Sequence, residues 1–173
     1  MSAQKSAGRL DDPPKQTDTS TSESGTRSIK TERASIVVQR RIEWPDTDAS
    51  GRWHNTAAFR FVEVAETALL ERLGILDEIY GRLPRVRIEA DFKKLLAFRD
   101  LVDCYICVGR MGNSSITYDF EIRKGGELCV RAKVIAVLLD ESGHPTQWAP
   151  EHKRLLVESG PQAPELLETG EKP

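Results

Sequence analysis

The stretch NTAAFRFVEVAETALLERLG, residues 55–74, decides the fold. Ala58, Val62, Ala65, Leu69 and Leu73 recur at steps of three and four, which places them on one stripe of a helix. Arg60, Glu63, Thr67 and Glu71 form the opposite stripe. The spacing predicts a helix over 55–73, about 28 Å long at 1.5 Å per residue. Asn55 or Thr56 suits the N-cap, and Gly74 stands where a C′ glycine ends a helix. Ala57, Ala58, Ala65 and Ala68 are small enough to let a sheet approach the helix closely.

The segments around the helix change period from 3.6 to 2. Residues 35–44 alternate, with Ile36, Val38, Ile42 and Trp44 in one phase, and predict a strand. Beyond a short helical piece within 75–82, four more strands are expected. Val86, Ile88, Ala90 and Phe92 give the apolar phase of the first. Val102, Cys104, Ile106 and Val108 give that of the second, and Ile116, Tyr118, Phe120 and Ile122 that of the third. Leu128, Val130, Ala132, Val134, Ala136 and Leu138 line the last. Lys124-Gly125-Gly126 marks a tight hairpin and Gly112-Asn113 another turn. Residues 150–158 suit a closing helix. One strand, one long helix and four consecutive strands with single apolar faces predict an α+β fold, a helix against a five-stranded antiparallel sheet.

Residues 1–34 have a different composition: eleven Ser and Thr, six basic and five acidic side chains, and almost no large apolar ones. Such a segment buries too little surface to offset its ordering entropy, so a disordered tail is expected there. Residues 161–173 read as a second, flexible tail, which leaves 35–160 as one domain. The 25 Lys and Arg nearly balance 27 Asp and Glu. No basic field calls for nucleic acid, and no basic amphipathic stretch or long apolar run calls for a membrane. The N-terminus lacks an apolar signal core, and three cysteines, Cys104, Cys107 and Cys129, fit a reducing compartment, so a cytoplasmic protein is expected. Cys104 and Cys107 have CxxC spacing, but residues three apart on a strand face opposite ways, which argues against a shared redox or zinc site. GxSxG, GxGxxG, GxxxxGK[ST] and HExxH are all absent.

What remains is WPDTDASGRWHN, residues 44–55, a carboxylate-rich turn directly before the helix. Asp and Asn there could simply cap the helix and favour its positive end. The same layout also supports catalysis. Unpartnered N–H groups of a first helical turn favour negative charge, including the oxyanion of a thioester under attack. Asp48 lies seven residues before Asn55, and Gly51 lets the chain double back, so a carboxylate could face a carbonyl held at the helix start.

The segment RRIEWPDTDASGRWHNTAAFRFVEVAET, residues 40–67, resembles the start of hotdog-fold acyl-CoA thioesterases, closest to the 4-hydroxybenzoyl-CoA thioesterase group and the Tol-Pal-type short acyl-CoA thioesterases. The resemblance rests on Asp46-Thr47-Asp48-Ala49-Ser50-Gly51, then Phe59, Phe61 and Glu63, and extends more weakly through GHPTQWAPEHKRLL, residues 143–156. It implies a hotdog fold, with a curved five-stranded antiparallel sheet wrapping a central helix. It implies hydrolysis of an acyl-CoA or acyl carrier-protein thioester, with no cofactor beyond the CoA of the substrate, no metal, and a homodimer or homotetramer with the acyl pocket between subunits. Asp48 takes the place of the family's general base or nucleophile, and a backbone N–H near Asn55 that of its oxyanion donor. Part of the family has a histidine where Asn55 stands here; His54, one residue earlier, is either a displaced helper or a plain loop residue. Glu63 is either a solvated partner of Arg60 or Thr67, or a buried support of the interface. Gly51, Trp53 and Phe59 are expected to line the substrate site. Lys94, Arg99, Arg110 and Ser114 are candidates for CoA contacts, because phosphates need donors. Two other readings stay open: an enoyl-thioester hydratase on the same fold, although its Gly-Asp-x-Asn-Pro-x-His framing is missing, and a non-catalytic acyl-thioester-binding module.

Overall fold

The computed structural model describes residues 33–162. The disordered and flexible tails expected at the two ends fall mostly outside that span. Inside it, the fold reaches slightly beyond 35–160. Ala34 is fully buried, with its N–H on the Leu156 carbonyl, and Gln162 accepts a hydrogen bond from the Val37 N–H at 3.2 Å.

The elements follow in the order β1 (Ser35–Arg41), a 3-10 turn (Trp44–Asp46), α1 (Ala57–Arg72), α2 (Leu76–Ile79), β2 (Arg85–Phe92), β3 (Leu101–Met111), β4 (Ser115–Lys124), β5 (Glu127–Val137) and α3 (Pro150–Glu158). All strand pairs are antiparallel, in the spatial order β1-β3-β4-β5-β2. The alternation read from the sequence is the burial pattern of the centre of the sheet. Val102, Cys104, Ile106 and Val108 on β3 and Ile116, Tyr118, Phe120 and Ile122 on β4 are almost completely buried against α1. Cys107 is buried as well but does not belong to that core, as expected if the two cysteines face opposite ways. Burial pushes the Cys104 thiol up to about 12, so it behaves as a small apolar side chain. Gly125 and Gly126 both have positive φ, which a two-residue hairpin between these twisted strands requires.

Three expectations need correction. The first strand stops at Arg41 rather than residue 44, because the Ile42 N–H turns to the Asp100 carbonyl and Pro45 enters a 3-10 turn. Trp44 is therefore 69% exposed and rests edge-on against Phe98. The helix begins at Ala57, and neither Asn55 nor Thr56 caps it with a side chain; the Nδ1 of His54 takes the Thr56 N–H at 3.2 Å instead. On β2 the apolar phase is only half covered: Ile88 and Ala90 pack on the core, while Val86 and Phe92 are exposed on this edge strand. No helix among the described residues is long and apolar enough to cross a membrane.

The far end of α1 is fastened by one side chain. The Arg72 guanidinium donates to the carbonyls of Ser35, Ser159, Gly160 and Pro161 at 2.6–3.1 Å. Those around residue 160 follow α3, where a helix leaves carbonyls without internal partners. A cation there also complements the helix dipole. Replacing Arg72 with Met should cost on the order of 2 kcal/mol, as loss of hydrogen bonds from a charged donor does. The check is thermal unfolding, with Arg72→Lys expected to recover only part of the loss, because an ammonium cannot span several carbonyls in one plane.

Candidate active site

β2 and β3 are not neighbours in the sheet, so residues 93–100 must cross its end. The crossing is pinned at each step. Lys93 and Lys94 donate their N–H groups to the Cys129 carbonyl, Asp100 pairs with Lys124 at 2.6 Å, and the Arg99 N–H meets the Ile42 carbonyl. Arg99 adopts φ of +70°, a conformation few non-glycine residues hold without surrounding constraint. The carboxylate-rich loop folds onto this crossing. The Trp53 N–H bonds the Leu96 carbonyl at 2.9 Å, the Phe98 N–H reaches the Gly51 carbonyl, and Arg52 bridges to Ala97.

Residues 47–53 form a small hairpin on that platform. Thr47 pairs with Trp53, the Asp48 N–H bonds the Arg52 carbonyl, and the Gly51 N–H returns to the Asp48 carbonyl at 3.0 Å. Gly51 has φ of +74°, which permits the reversal. The His54 N–H then bonds the Asp46 carbonyl, and α1 starts three residues later.

The two aspartates have different surroundings. Asp46 is buried, with one carboxylate oxygen on the Glu43 N–H at 3.0 Å and the other on the Arg60 guanidinium at 2.6 Å. It ties the 3-10 turn to the first turn of α1. Asp48 is exposed. Its Oδ1 accepts the Ser50 hydroxyl at 2.5 Å and the Ser50 N–H at 2.8 Å, while no described residue donates to its Oδ2. These bonds, the hydroxyl foremost, hold the Asp48 carboxyl below the usual carboxylate range. It is therefore an anion at neutral pH with one oxygen open to solvent. His54 is close enough to act electrostatically on Asp48. Its Nδ1 accepts from the Thr56 N–H and lies 2.6 Å from the Thr56 hydroxyl, which favours the tautomer with hydrogen on Nε2. The Asn55 N–H, at the mouth of the helix, makes no hydrogen bond with a described residue.

The other candidates separate into groups. Trp53 is buried, edge-on to Phe61 at 5.4 Å and tilted against Phe92 at 6.1 Å, so it packs the core under the loop rather than lining an open surface. Phe59 is exposed at the helix start. Glu63 is exposed and its nearest cation is Arg85 at 3.7 Å; Arg60 is engaged by Asp46 instead. Lys94 and Arg99 lie at the Asp48 end of the sheet, Lys94 paired with Glu127 and Arg99 stacked over Phe98. Arg110 and Ser114 do not join them. Leu101 opens β3 beside Arg41, whereas Arg110 is near its other end, about 30 Å away at the usual strand rise. Within one chain they are far from Asp48. Among the described residues no group of three or more His, Cys, Asp or Glu side chains could hold a metal ion.

The sequence reading missed Ser50, although Asp-x-Ser is a common self-closing turn. It also missed a buried polar cluster formed by Glu66 of α1, Arg85 of β2 and Tyr118 of β4. Glu66 lies four residues after Val62 and three before Leu69, on the buried stripe, and pairs with Arg85. Its Oε1, the Arg85 Nε and the Tyr118 hydroxyl are all buried without a well-formed hydrogen bond. Burial raises the Glu66 carboxyl to about 7; Arg85 opposes the rise and Glu63 adds to it.

The sequence profile of the thioesterase superfamily matches residues 50–136, half of the chain, from the Asp48 turn into β5. The chain belongs to the thioesterase superfamily. Thioester hydrolysis is its activity. No curated protein matches the sequence. Among solved structures, a predicted thioesterase from Bacillus stearothermophilus superposes with TM-score 0.67 at 22% identity, covering 73% of this chain and 97% of the other. A 1,4-dihydroxy-2-naphthoyl-CoA thioesterase from Synechocystis gives 0.64 at 18% identity, covering 70% and 95%. A variant of 4-hydroxybenzoyl-CoA thioesterase complexed with 4-hydroxybenzoyl-CoA gives 0.64 at 19% identity, covering 71% and 99%. At such identities the likeness establishes the hotdog fold and nothing finer. The profile match begins two residues after Asp48 and does not include it.

The buried carboxyl gives this thioesterase a testable pH dependence. Its folded value near 7 exceeds the unfolded 4.5, so the folded state binds the proton more tightly. The associated stability is complete below pH 4.5 and is lost as pH rises toward 7. Melting temperatures measured from pH 4.5 to 8 should show the Glu66→Gln variant gaining on the parent up to about pH 7 and running parallel above it. A constant difference across the range would contradict the raised value.

Proposed function

We propose that this enzyme hydrolyses acyl-CoA thioesters, with Asp48 as general base or nucleophile and the backbone N–H of Asn55 as oxyanion donor. The observation that carries this reading is the 47–53 hairpin. It returns the chain so that an ionised, solvent-facing carboxylate precedes Asn55, whose N–H, two residues ahead of α1, has no hydrogen-bond partner among the described residues. A thioester carbonyl docked at the start of α1 meets partial positive charge where negative charge develops, and Asp48 supplies the base or the attacking oxygen. His54, with Nδ1 occupied by Thr56, can offer only its Nε2–H as a hydrogen-bond donor, which suits a helper and not an essential base. No cofactor is invoked. The CoA form of the substrate is supported by the structural neighbours that are CoA thioesterases, and Lys94 and Arg99 are among the cations at this end of the sheet that could meet its phosphates.

The active form is proposed to be a homodimer. The β2 edge leaves a row of backbone groups unpaired and Val86 and Phe92 exposed, and α1 leaves Phe59 and Val64 exposed beside the site. An uncovered edge with apolar side chains is an invitation to pairing.

Asp48→Asn should lower kcat on the order of 10²–10⁴-fold with little change in KM, measured by thiol release. Asp46→Asn should lower the melting temperature more than it lowers turnover, since it breaks the Glu43 and Arg60 bonds and leaves Asp48 in place. A fully active Asp48→Asn protein would reduce the loop to a helix cap. Light scattering at micromolar concentration should give twice the chain mass; a clean monomer with full activity would overturn the dimeric site.

A further inference from the structure

Six arginines among the described residues are half-buried: Arg33, Arg40, Arg72, Arg82, Arg85 and Arg123. Five donate to a carbonyl or a carboxylate. Arg40 does not. It lies opposite Val102 on β1, in the same phase as Ile36 and Val38, so it points to the core face of the sheet. Its Nε is buried with no acceptor, and its guanidinium carbon lies 5.8 Å from the centre of the Phe61 ring. A buried donor without an acceptor is costly, and a cation–π contact does not supply one.

Phe61 links this cation to the reaction site. Its ring also contacts Trp53, whose indole N–H is a second buried donor without an acceptor. Trp53 immediately precedes His54 and Asn55, where the thioester carbonyl docks in the function proposed above. From Ala57, the first residue of α1 and two beyond Asn55, to Phe61 the chain climbs about 6 Å along the helix axis. A group bound to Arg40 would thus sit about one extended acyl chain from the carbonyl.

We propose that Arg40 anchors an anionic oxygen group of the substrate, and that this group is the distal carboxylate of a dicarboxylic acyl chain. The preference for an acyl carboxylate over a phosphate of CoA follows from position. Arg40 is on the core face beside α1, whereas the exposed cations Lys94 and Arg99 lie on the crossing loop. This specificity rests on the thioesterase reading, but the anion site itself is testable without turnover.

The first test compares glutaryl-CoA with valeryl-CoA, which share a carbon count and differ in the terminal carboxylate. The parent enzyme should favour glutaryl-CoA at least about tenfold in kcat/KM, mainly through KM, as for a lost hydrogen bond to a charged group. Arg40→Met should abolish that preference, and Arg40→Lys should retain part of it. If Arg40→Met instead weakens both CoA esters equally and spares valeryl-pantetheine, the anion is a carrier phosphate and the acyl assignment is overturned. If no ratio changes, Arg40 has no substrate role. The second test uses free glutarate and melting temperature. Glutarate should raise the melting temperature of the parent but not of Arg40→Met, while the unliganded variant should be at least as stable as the parent, since it lacks a buried donor without an acceptor. A marked drop in the unliganded variant together with an unchanged glutarate shift would make Arg40 structural. A protein that cleaves no thioester yet keeps the Arg40-dependent glutarate shift would overturn the proposed function and leave the anion site standing.

Discussion

The fold depends on one crossing. Strand β2 pairs with β5 at one edge, while β3 lies between β1 and β4, so the eight residues between them must traverse an open sheet end. Their backbone groups are lost to the sheet ladder and need other partners. They find them in Cys129, Ile42 and, from the other side, Trp53 and Gly51. The carboxylate-rich turn is thereby held against the sheet by main-chain bonds that do not depend on which side chains it carries. Such a platform can present a reactive side chain rigidly while leaving it in solvent.

The two aspartates of the turn divide the work by environment. Asp46 is buried and answered by a backbone N–H and an arginine, so its charge holds geometry. Asp48 is two residues further along, past the start of the hairpin, and has one oxygen fixed by Ser50 and the other open. An anion restrained at one oxygen is oriented without being neutralised. The same carboxylate pair could not exchange roles, because only the inner position reaches Arg60 and only the outer one faces solvent.

Elsewhere the core carries more polarity than a helix on a sheet needs. Glu66, Arg85 and Tyr118 meet where α1 crosses β2 and β4, with three buried polar atoms left without good hydrogen bonds. Desolvation outweighs the attraction of Arg85 for the glutamate, which is why its carboxyl is raised rather than lowered. Arg40 is a second such case on the same face, at the opposite edge of the sheet. A core that keeps unanswered polar groups at an enzyme site gives up stability that an apolar core would have retained.

The central architecture was legible in the sequence because it depends on period alone. The stripe from Ala58 to Leu73 and the alternations through β3, β4 and β5 fix which faces must be buried, and a helix with one apolar stripe and strands with one apolar face have few ways to cover each other. The Asp46–Gly51 motif likewise marked the turn that holds the candidate site. What period could not supply was the partner of each side chain. Trp44 continued the alternation of β1 yet lies in a turn, because Pro45 and the crossing loop claim the backbone first. Val86 and Phe92 kept the apolar phase of β2 yet face solvent, because β2 is an edge. Arg110 and Ser114 looked as available as Lys94 and Arg99, but strand direction sends them to the far end of the sheet. Glu66 on the buried stripe and the unanswered Arg40 were invisible for the same reason. Local sequence determines which face a residue occupies; only the tertiary structure determines what stands opposite it, since those neighbours come from segments tens of residues away.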